Sequence, residues 1–171
     1  MKKWLVGCGV VVLLGVGLIP VLISRPDLVP WLFTAIDCRL QFRRHYSEAH
    51  DGGDYQQWLL GQHYEYGNGT SPDMAEAVRW YRYSAERGNR DGQLLYVSCL
   101  LNGKGVLRDE VEALMWLNLV ASASHRSYSG KSDTEYRDSL AARLTPEQIE
   151  RATAIAHRWR PKSWEELKGN P

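Results

Sequence analysis

Two stretches of the chain share one design: LNGKGVLRDEVEALMW, residues 101–116, and EYGNGTSPDMAEAVRW, residues 65–80. Each has two glycines with one residue between them, then an aspartate, then an Ala-x-x-Trp pair. A shift of 36 residues aligns 54–89 with 90–125. The shift gives these identities: Gln57/Gln93, Leu59/Leu95, Gly67/Gly103, Gly69/Gly105, Asp73/Asp109, Glu76/Glu112, Ala77/Ala113, Trp80/Trp116 and Ala85/Ala121. Composition alone would give roughly two matches, so the chain contains an internal repeat.

The Gly-Lys-Gly sequence of the second stretch could belong to a phosphate-binding loop. A dinucleotide-binding fingerprint would need a third glycine where Arg108 stands, and a β-strand before Gly103. The residues before Gly103 have helical spacing, and the Gly-Lys-Ser or Gly-Lys-Thr of a Walker loop is missing here. The glycines are therefore interpreted as turn residues.

Each repeat is predicted to be a pair of helices joined by a tight turn. Gly67 and Gly103 supply the left-handed residue that ends the first helix. Asp73 and Asp109 begin the second helix, where a carboxylate accepts hydrogen bonds from free backbone N–H groups. The following apolar residues fall on one face at helical spacing: Ala77, Trp80, Tyr81 and Ser84 in one unit, and Ala113, Trp116, Leu117 and Val120 in the next.

These residues resemble the Sel-one-like repeat family, relatives of the tetratricopeptide repeat. The first unit carries the family pattern at Leu60, Gly61, Gly67, Gly69, Asp73, Ala77, Trp80, Ala85 and Gly88. The second unit departs from it, with Tyr96-Val97 in place of Leu-Gly and Ser124 in place of the last glycine. From this departure we expect looser packing of the first helix of the second unit.

The flanks complete the predicted architecture. Thr145-Pro146-Glu147-Gln148 is a helix start with a capping box, and Ser163 with Glu166 repeats that spacing before a short turn at 164–168. Residues 137–159 are similar to the helices that close such arrays, and 30–49 are predicted to be a linking helix. The fold class is therefore an all-α short solenoid of two 36-residue repeats, with C-terminal capping helices and one N-terminal transmembrane helix. The predicted domains are an anchor at 1–24, a linking helix within 25–53, repeats at 54–125, and capping helices and tail at 126–171.

The N-terminal segment is predicted to cross a membrane. Residues 4–24 carry no charge over 21 positions, which as a helix would span roughly 32 Å, close to a bilayer core of about 30 Å. Lys2 and Lys3 precede the run, and positive flanks stay cytoplasmic. A cleaved secretory signal is an alternative, as is a lipoprotein signal ending at Cys8, although the apolar run follows that cysteine instead of preceding it.

The charge of the remaining chain excludes nucleic acid as a partner. Without Lys2 and Lys3, 19 basic residues face 20 acidic ones, a formal charge of −1 for 25–171. Arg39, Arg43 and Arg44 form a small basic cluster. This cluster is interpreted either as a solvated helix face or as a contact with lipid headgroups.

The sequence lacks the spacing of a catalytic or metal site. The five histidines, His45, His50, His63, His125 and His157, form no helical zinc pair with a supporting acid. No catalysis, metal, cofactor or small-molecule substrate is expected. Cys38 and Cys99 either pair in an oxidising compartment or act as two buried small residues.

The first helices of the repeats are predicted to carry a protein-binding surface. Its candidate residues are Leu59, Gln62, His63, Tyr66, Leu95, Ser98 and Leu101. A mixture of polar and aromatic side chains suits protein recognition, although Leu95 and Leu101 could instead pack between helices.

Three functional hypotheses follow from the anchor and the resemblance. In the first, a single-pass protein of a bacterial inner membrane, with its N-terminus cytoplasmic, displays its repeats on the periplasmic side. There it binds a protein partner and helps to assemble or regulate an envelope complex. The second is an immunity or inhibitor protein against a secreted toxin such as a phospholipase. The third, a cell-wall or β-lactam hydrolase, is disfavoured because the relatives with that role carry paired cysteines in each repeat.

Overall fold

The computed structural model describes residues 28–123 and 132–168, with side chains from residue 32 onward. This part of the chain is helical, with no strands. The helices in chain order are α1 Leu28–His50, α2 Asp54–Tyr66, α3 Met74–Glu86, α4 Arg90–Asn102, α5 Glu110–Ser122, α6 Asp133–Ala141, α7 Pro146–Arg158 and α8 Trp164–Lys168. Helices α1 to α5 each pack against the next along the chain, and α5 also packs against α7. The all-α solenoid predicted from the repeat is confirmed.

The predicted transmembrane segment at 4–24 lies outside the described residues. Within 28–123 and 132–168, no helix is both long enough and apolar enough to span a bilayer.

The turns within the two units have the predicted chemistry. Gly67 and Gly103 adopt left-handed backbone angles, with φ of 71° and 64°. The Asp73 carboxylate accepts hydrogen bonds from the N–H groups of Ala75 and Glu76 at 3.0 and 3.1 Å. Asp109 accepts two equivalent bonds at 2.9 Å, so the two units begin their second helices in the same way.

The tryptophans of the two units are buried, as the Ala-x-x-Trp pattern predicts. Trp116 is 1% exposed and lies in the main core, which α3 to α7 build together. Trp80 is 6% exposed and belongs to a second cluster with Ala49 of α1 and Leu60 of α2. Helix α1 therefore packs against the repeats as part of the array.

Three observations identify the C-terminal part of α1 as the second helix of an incomplete unit. The Gln57 side chain donates to the Ala49 carbonyl at 3.3 Å, as Gln93 does to Ala85. Gly52 and Gly88, 36 residues apart, have φ of 93° and 90°. A Cβ on Gly69 would lie 2.3 Å from the Cys38 carbonyl oxygen, and one on Gly105 would lie 2.4 Å from that of Met74. The array therefore starts half a unit before residue 54, the start predicted from the repeat.

Three substitutions in the second unit exchange one packing arrangement between its two helices for another. The looser packing expected for its first helix stays a prediction. In the first unit, a Cβ on Gly61 would lie 2.5 Å from the Tyr81 ring, and the Tyr81 hydroxyl donates to Glu65 at 2.6 Å. The equivalent residues are Val97, Leu101 and Leu117. Val97 and Leu117 are fully buried. A larger residue at the glycine position is thus matched by a smaller one opposite, which preserves core volume.

The C-terminal segment closes the array and then returns to its beginning. Thr145 and Gln148 form the predicted capping box at the start of α7. Beyond α7, the Lys162 backbone N–H donates to the Glu86 carbonyl at 2.8 Å. The Trp164 indole N–H then donates to the His50 carbonyl at 2.9 Å, and the ring stacks on Trp80. Through Lys162 and Trp164, the segment after α7 therefore connects α1 to α3.

We expect Gly61→Val to destabilise the protein by about 1–3 kcal/mol, because the added methyls meet the Tyr81 ring. Adding Tyr81→Leu and Glu65→Leu transfers the arrangement of the second unit and should recover most of that loss. Urea unfolding of the full-length protein in detergent measures both effects, with Tyr81→Leu alone as the control. A triple variant no more stable than Gly61→Val would contradict the exchange.

Candidate protein-interaction surface

The first helices of the two units, α2 and α4, lie side by side and present equivalent positions 36 residues apart. Tyr66 is 62% exposed, and Ser98 is also exposed. Leu59, Gln62 and Leu95 are half-buried, so each keeps part of its side chain in solvent. We call the strip formed by these five residues the first-helix surface.

The structure adds Tyr55 to the first-helix surface. Tyr55 is 53% exposed and precedes Leu59, Gln62 and Tyr66 at the four-, seven- and eleven-residue spacing of one helical face. Its ring packs edge-on against Trp58, with centroids 5.4 Å apart. The repeat alignment gave no signal for Tyr55, because the equivalent residue in the second unit is Asp91.

A depression of about 530 Å³ continues the surface beyond the end of α4. Its lining comes from α4, the turn after α4, α6 and the loop after α6: Leu101, Asn102, Arg108, Tyr136, Ser139, Leu140 and Arg143. The Glu110 carboxylate pairs with both Arg108 and Arg143, the latter at 3.3 Å. Leu101 packs partly against the main core and partly lines this depression, so it serves both of the roles that the sequence left open.

His63, the remaining candidate, is not on the first-helix surface. Its side chain is only 8% exposed and lies between α1 and the turn that follows α2. The sequence predicts that His63 belongs, with Gln62, to the protein-binding surface. Because α1 packs there as the second helix of a preceding unit, it covers His63. His63 therefore belongs to the packing of α1 and is unavailable to a partner.

His63 takes part in a chain of hydrogen bonds that sets the tautomer of its neutral ring. Its Nδ1 lies 2.6 Å from the Asn68 carbonyl oxygen, which only accepts, so Nδ1 carries the proton. In the neutral ring, Nε2 then accepts from Nδ1 of His45, 2.9 Å away on α1. The Arg44 guanidinium lies 3.4 Å from Nε2 of His45 and donates to it.

This arrangement resists protonation of His45. Burial, the adjacent His63 and the Arg44 cation together lower the pKa of His45, and Glu48 opposes them. If both rings carried two protons, N–H groups would face each other across 2.9 Å. The histidine pair therefore connects α1 to α2 only while at least one ring is neutral.

The cysteines and acidic residues form no metal site or disulfide in the described parts of the chain. Across 28–123 and 132–168, no three His, Cys, Asp or Glu side chains are grouped to hold a metal ion. Cys38 and Cys99 are free thiols. Burial raises the pKa of Cys99 to about 11, so its thiol stays protonated at neutral pH.

Comparison with known proteins agrees with the fold. Residues 57–89 and 92–125 match the family model described as Sel1 repeat. A protective antigen of uropathogenic Escherichia coli with an SLR fold is similar to 76% of this chain, with 24% identity and a TM-score of 0.61. A Sel1 repeat protein from Oxalobacter formigenes shares 31% identity over 49% of the chain, with a TM-score of 0.48. No curated protein matches the chain.

The family model thus matches the two stretches that carry the resemblance, residues 57–89 and 92–125. Proteins built from such repeats generally mediate protein–protein interaction and are generally non-catalytic scaffolds. The chain spans only 28% and 35% of the lengths of the two solved relatives, so their complete functions do not transfer to it.

We expect acidification to weaken the protein through His45. Because the pKa of His45 is lowered from 6.5 in the folded protein, the unfolded chain binds protons more readily. The stabilisation is present above pH 6.5 and is lost as the pH falls through the lowered value. Urea unfolding between about pH 7.5 and about pH 5.5 should show a smaller loss in His45→Gln than in wild type.

The control for this measurement is His157→Gln, since His157 is exposed near the end of α7. This variant should keep the pH dependence of the wild-type protein. Identical pH dependence in wild type and His45→Gln would contradict the role given to the histidine pair.

Proposed function

We propose that this protein is a membrane-tethered interaction module that binds a protein partner through its first-helix surface. The proposal rests on the exposure of Tyr66 and Tyr55 on one face of α2, which continues through Ser98 to the depression below Leu101. Tyrosine is enriched among residues that dominate binding energy, because its large ring loses little conformational entropy on binding.

Residues 4–24 supply the proposed tether. Held there, the repeats lie on the periplasmic side of a bacterial inner membrane and help to assemble or regulate an envelope complex. Arg108 and Arg143, which share Glu110, add an excess of positive charge at one end of the surface. A partner that places an acidic group in this depression would complement that charge.

The tether predicts how the chain divides between membrane and supernatant. The full-length protein should remain in the membrane after carbonate washing and should need detergent for release. A version limited to residues 25–171 should stay in the supernatant and give a helical circular dichroism spectrum, because the uncharged run has been removed. Release of the full-length protein by carbonate would refute the tether.

We expect Tyr55→Ala combined with Tyr66→Ala to reduce partner binding while leaving folding intact. Losing one interface anchor costs about 2 kcal/mol or more, roughly thirtyfold in affinity. The measurement is crosslinking and co-purification of the full-length protein from membranes, with thermal unfolding in parallel. A captured protein that is a secreted toxin would favour the immunity hypothesis, whereas subunits of an envelope complex favour the scaffold.

Arg82→Ala is the matched control, because Arg82 is exposed on α3, outside the first-helix surface. It should retain the partner at wild-type yield. Equal capture by the double tyrosine variant and by wild type would place the binding site elsewhere on the molecule.

A further inference from the structure

The N-terminal part of α1 extends beyond the repeat pattern. The second helices of the two complete units begin at Met74 and Glu110, directly after an aspartate cap. The equivalent aspartate in α1 is Asp37, but here the helix starts nine residues earlier, at Leu28. At about 1.5 Å per residue, the nine residues from Leu28 to Ile36 project roughly 14 Å past the position of the aspartate caps.

An exposed apolar stripe begins in this extension and continues into the part of α1 that is equivalent to the repeats. Phe33 is 67% exposed, Leu40 is 60% exposed, and Ile36 lies between them on the same face, partly exposed. Their spacing of three and four residues aligns them along one side of a helix. The stripe points away from the packed residues Phe42 and Ala49, which face the repeats on the other side of α1.

Leu40 of the stripe stands where the repeat has a charged residue. The residues equivalent to Leu40 are Glu76 in α3 and Glu112 in α5, so a carboxylate holds this position in both complete units. In α1, a large apolar side chain is exposed to solvent at a position where both complete units have a charged residue. This difference indicates that α1 has a different neighbour. Contiguous exposed apolar surface of this kind marks an interaction site.

Charge and chain length both favour a lipid surface as that neighbour. Arg39 and Arg43 are exposed along one edge of the stripe, and Arg44 lies along the other. Long basic side chains of this type reach anionic headgroups while the apolar residues beside them enter the interface. Only Arg25, Pro26 and Asp27 separate Leu28 from the uncharged run that ends at Ser24. Even fully extended, that link spans no more than about 14 Å.

We propose that the Phe33–Ile36–Leu40 stripe of α1 lies in the membrane interface, with the neighbouring arginines on anionic lipid headgroups. This inference rests on the proposed tether, which holds α1 close to the bilayer. The contact fixes the orientation of the array on the membrane, because α1 is continuous with the packing of α2 through Ala49 and the His45–His63 pair. The first-helix surface would then face its partner at a set angle.

Photocrosslinking in the full-length protein tests the stripe directly. A p-benzoylphenylalanine residue is placed at Phe33 or at Leu40 in protein reconstituted into vesicles of phosphatidylcholine and phosphatidylglycerol. The matched control carries it at Gln41, which is exposed on the same helix away from the stripe. Irradiation should give phospholipid adducts at positions 33 and 40, identified by the added mass of one lipid, and none above background at position 41.

The outcomes separate the stripe from the tether. Protein that stays in the vesicles but gives no lipid adduct at 33 or 40 overturns the interface contact and leaves the tether standing. Adducts to a second copy of the chain identify the stripe as a dimer contact and also overturn it. Protein that does not associate with vesicles defeats both proposals, and carbonate fractionation in native membranes registers that failure independently.

Discussion

The close approach of each turn glycine to the helix before it is the constraint on which the array depends. The Cα atoms of Gly69 and Gly105 sit so near the carbonyl groups of Cys38 and Met74 that a side chain would overlap them. Both glycines also have positive φ, which other residues rarely adopt. Every unit is therefore held at one distance from its predecessor. The glutamine bonds from Gln57 and Gln93 to the preceding helix repeat the same register.

With the backbone fixed in this way, the two units use different side chains to pack their first helix against their second. The first unit fills the space above Gly61 with the Tyr81 ring and satisfies its hydroxyl with Glu65. Desolvation and the Glu65 carboxylate raise the pKa of Tyr81, so this hydroxyl remains a donor. The second unit uses Val97 and Leu117, which leave no buried polar group to satisfy. Identical residues at equivalent positions are therefore a weaker guide to the repeat than the total side-chain volume and the hydrogen bonds at each contact between helices.

Helix α1 joins the repeats to the segment predicted to enter the membrane. One of its faces contributes Ala49 and Phe42 to the same cluster as Trp80, and Trp164 from the end of the chain closes that cluster. The His45–His63 contact lies at the position where the next units place Tyr81 and Cys99. An imidazole pair thus replaces two groups whose pKa values are raised by burial, and we expect this contact to respond to pH through the lowered pKa of His45.

The sequence by itself determined the elements that depend on local chemistry. The 36-residue period, the glycine turns, the aspartate caps and the buried tryptophans follow from backbone angles, orphan N–H groups and apolar spacing, all of which are written in neighbouring residues. The same 36-residue shift, applied upstream, aligns Asp37, Arg43, Ala49 and Gly52 with Asp73, Arg79, Ala85 and Gly88. The additional half-unit in α1 could therefore have been predicted from the sequence.

Only the tertiary structure decided which side chains of the first helices remain in solvent. Gln62 and His63 are adjacent and both polar, and composition gives no reason to separate them. His63 is buried because α1 packs across it, whereas Tyr55, with no counterpart in the second unit, lies on the open face. Burial depends on which distant helix covers a residue. That covering is set by the stacking of whole units, which no short stretch of sequence encodes.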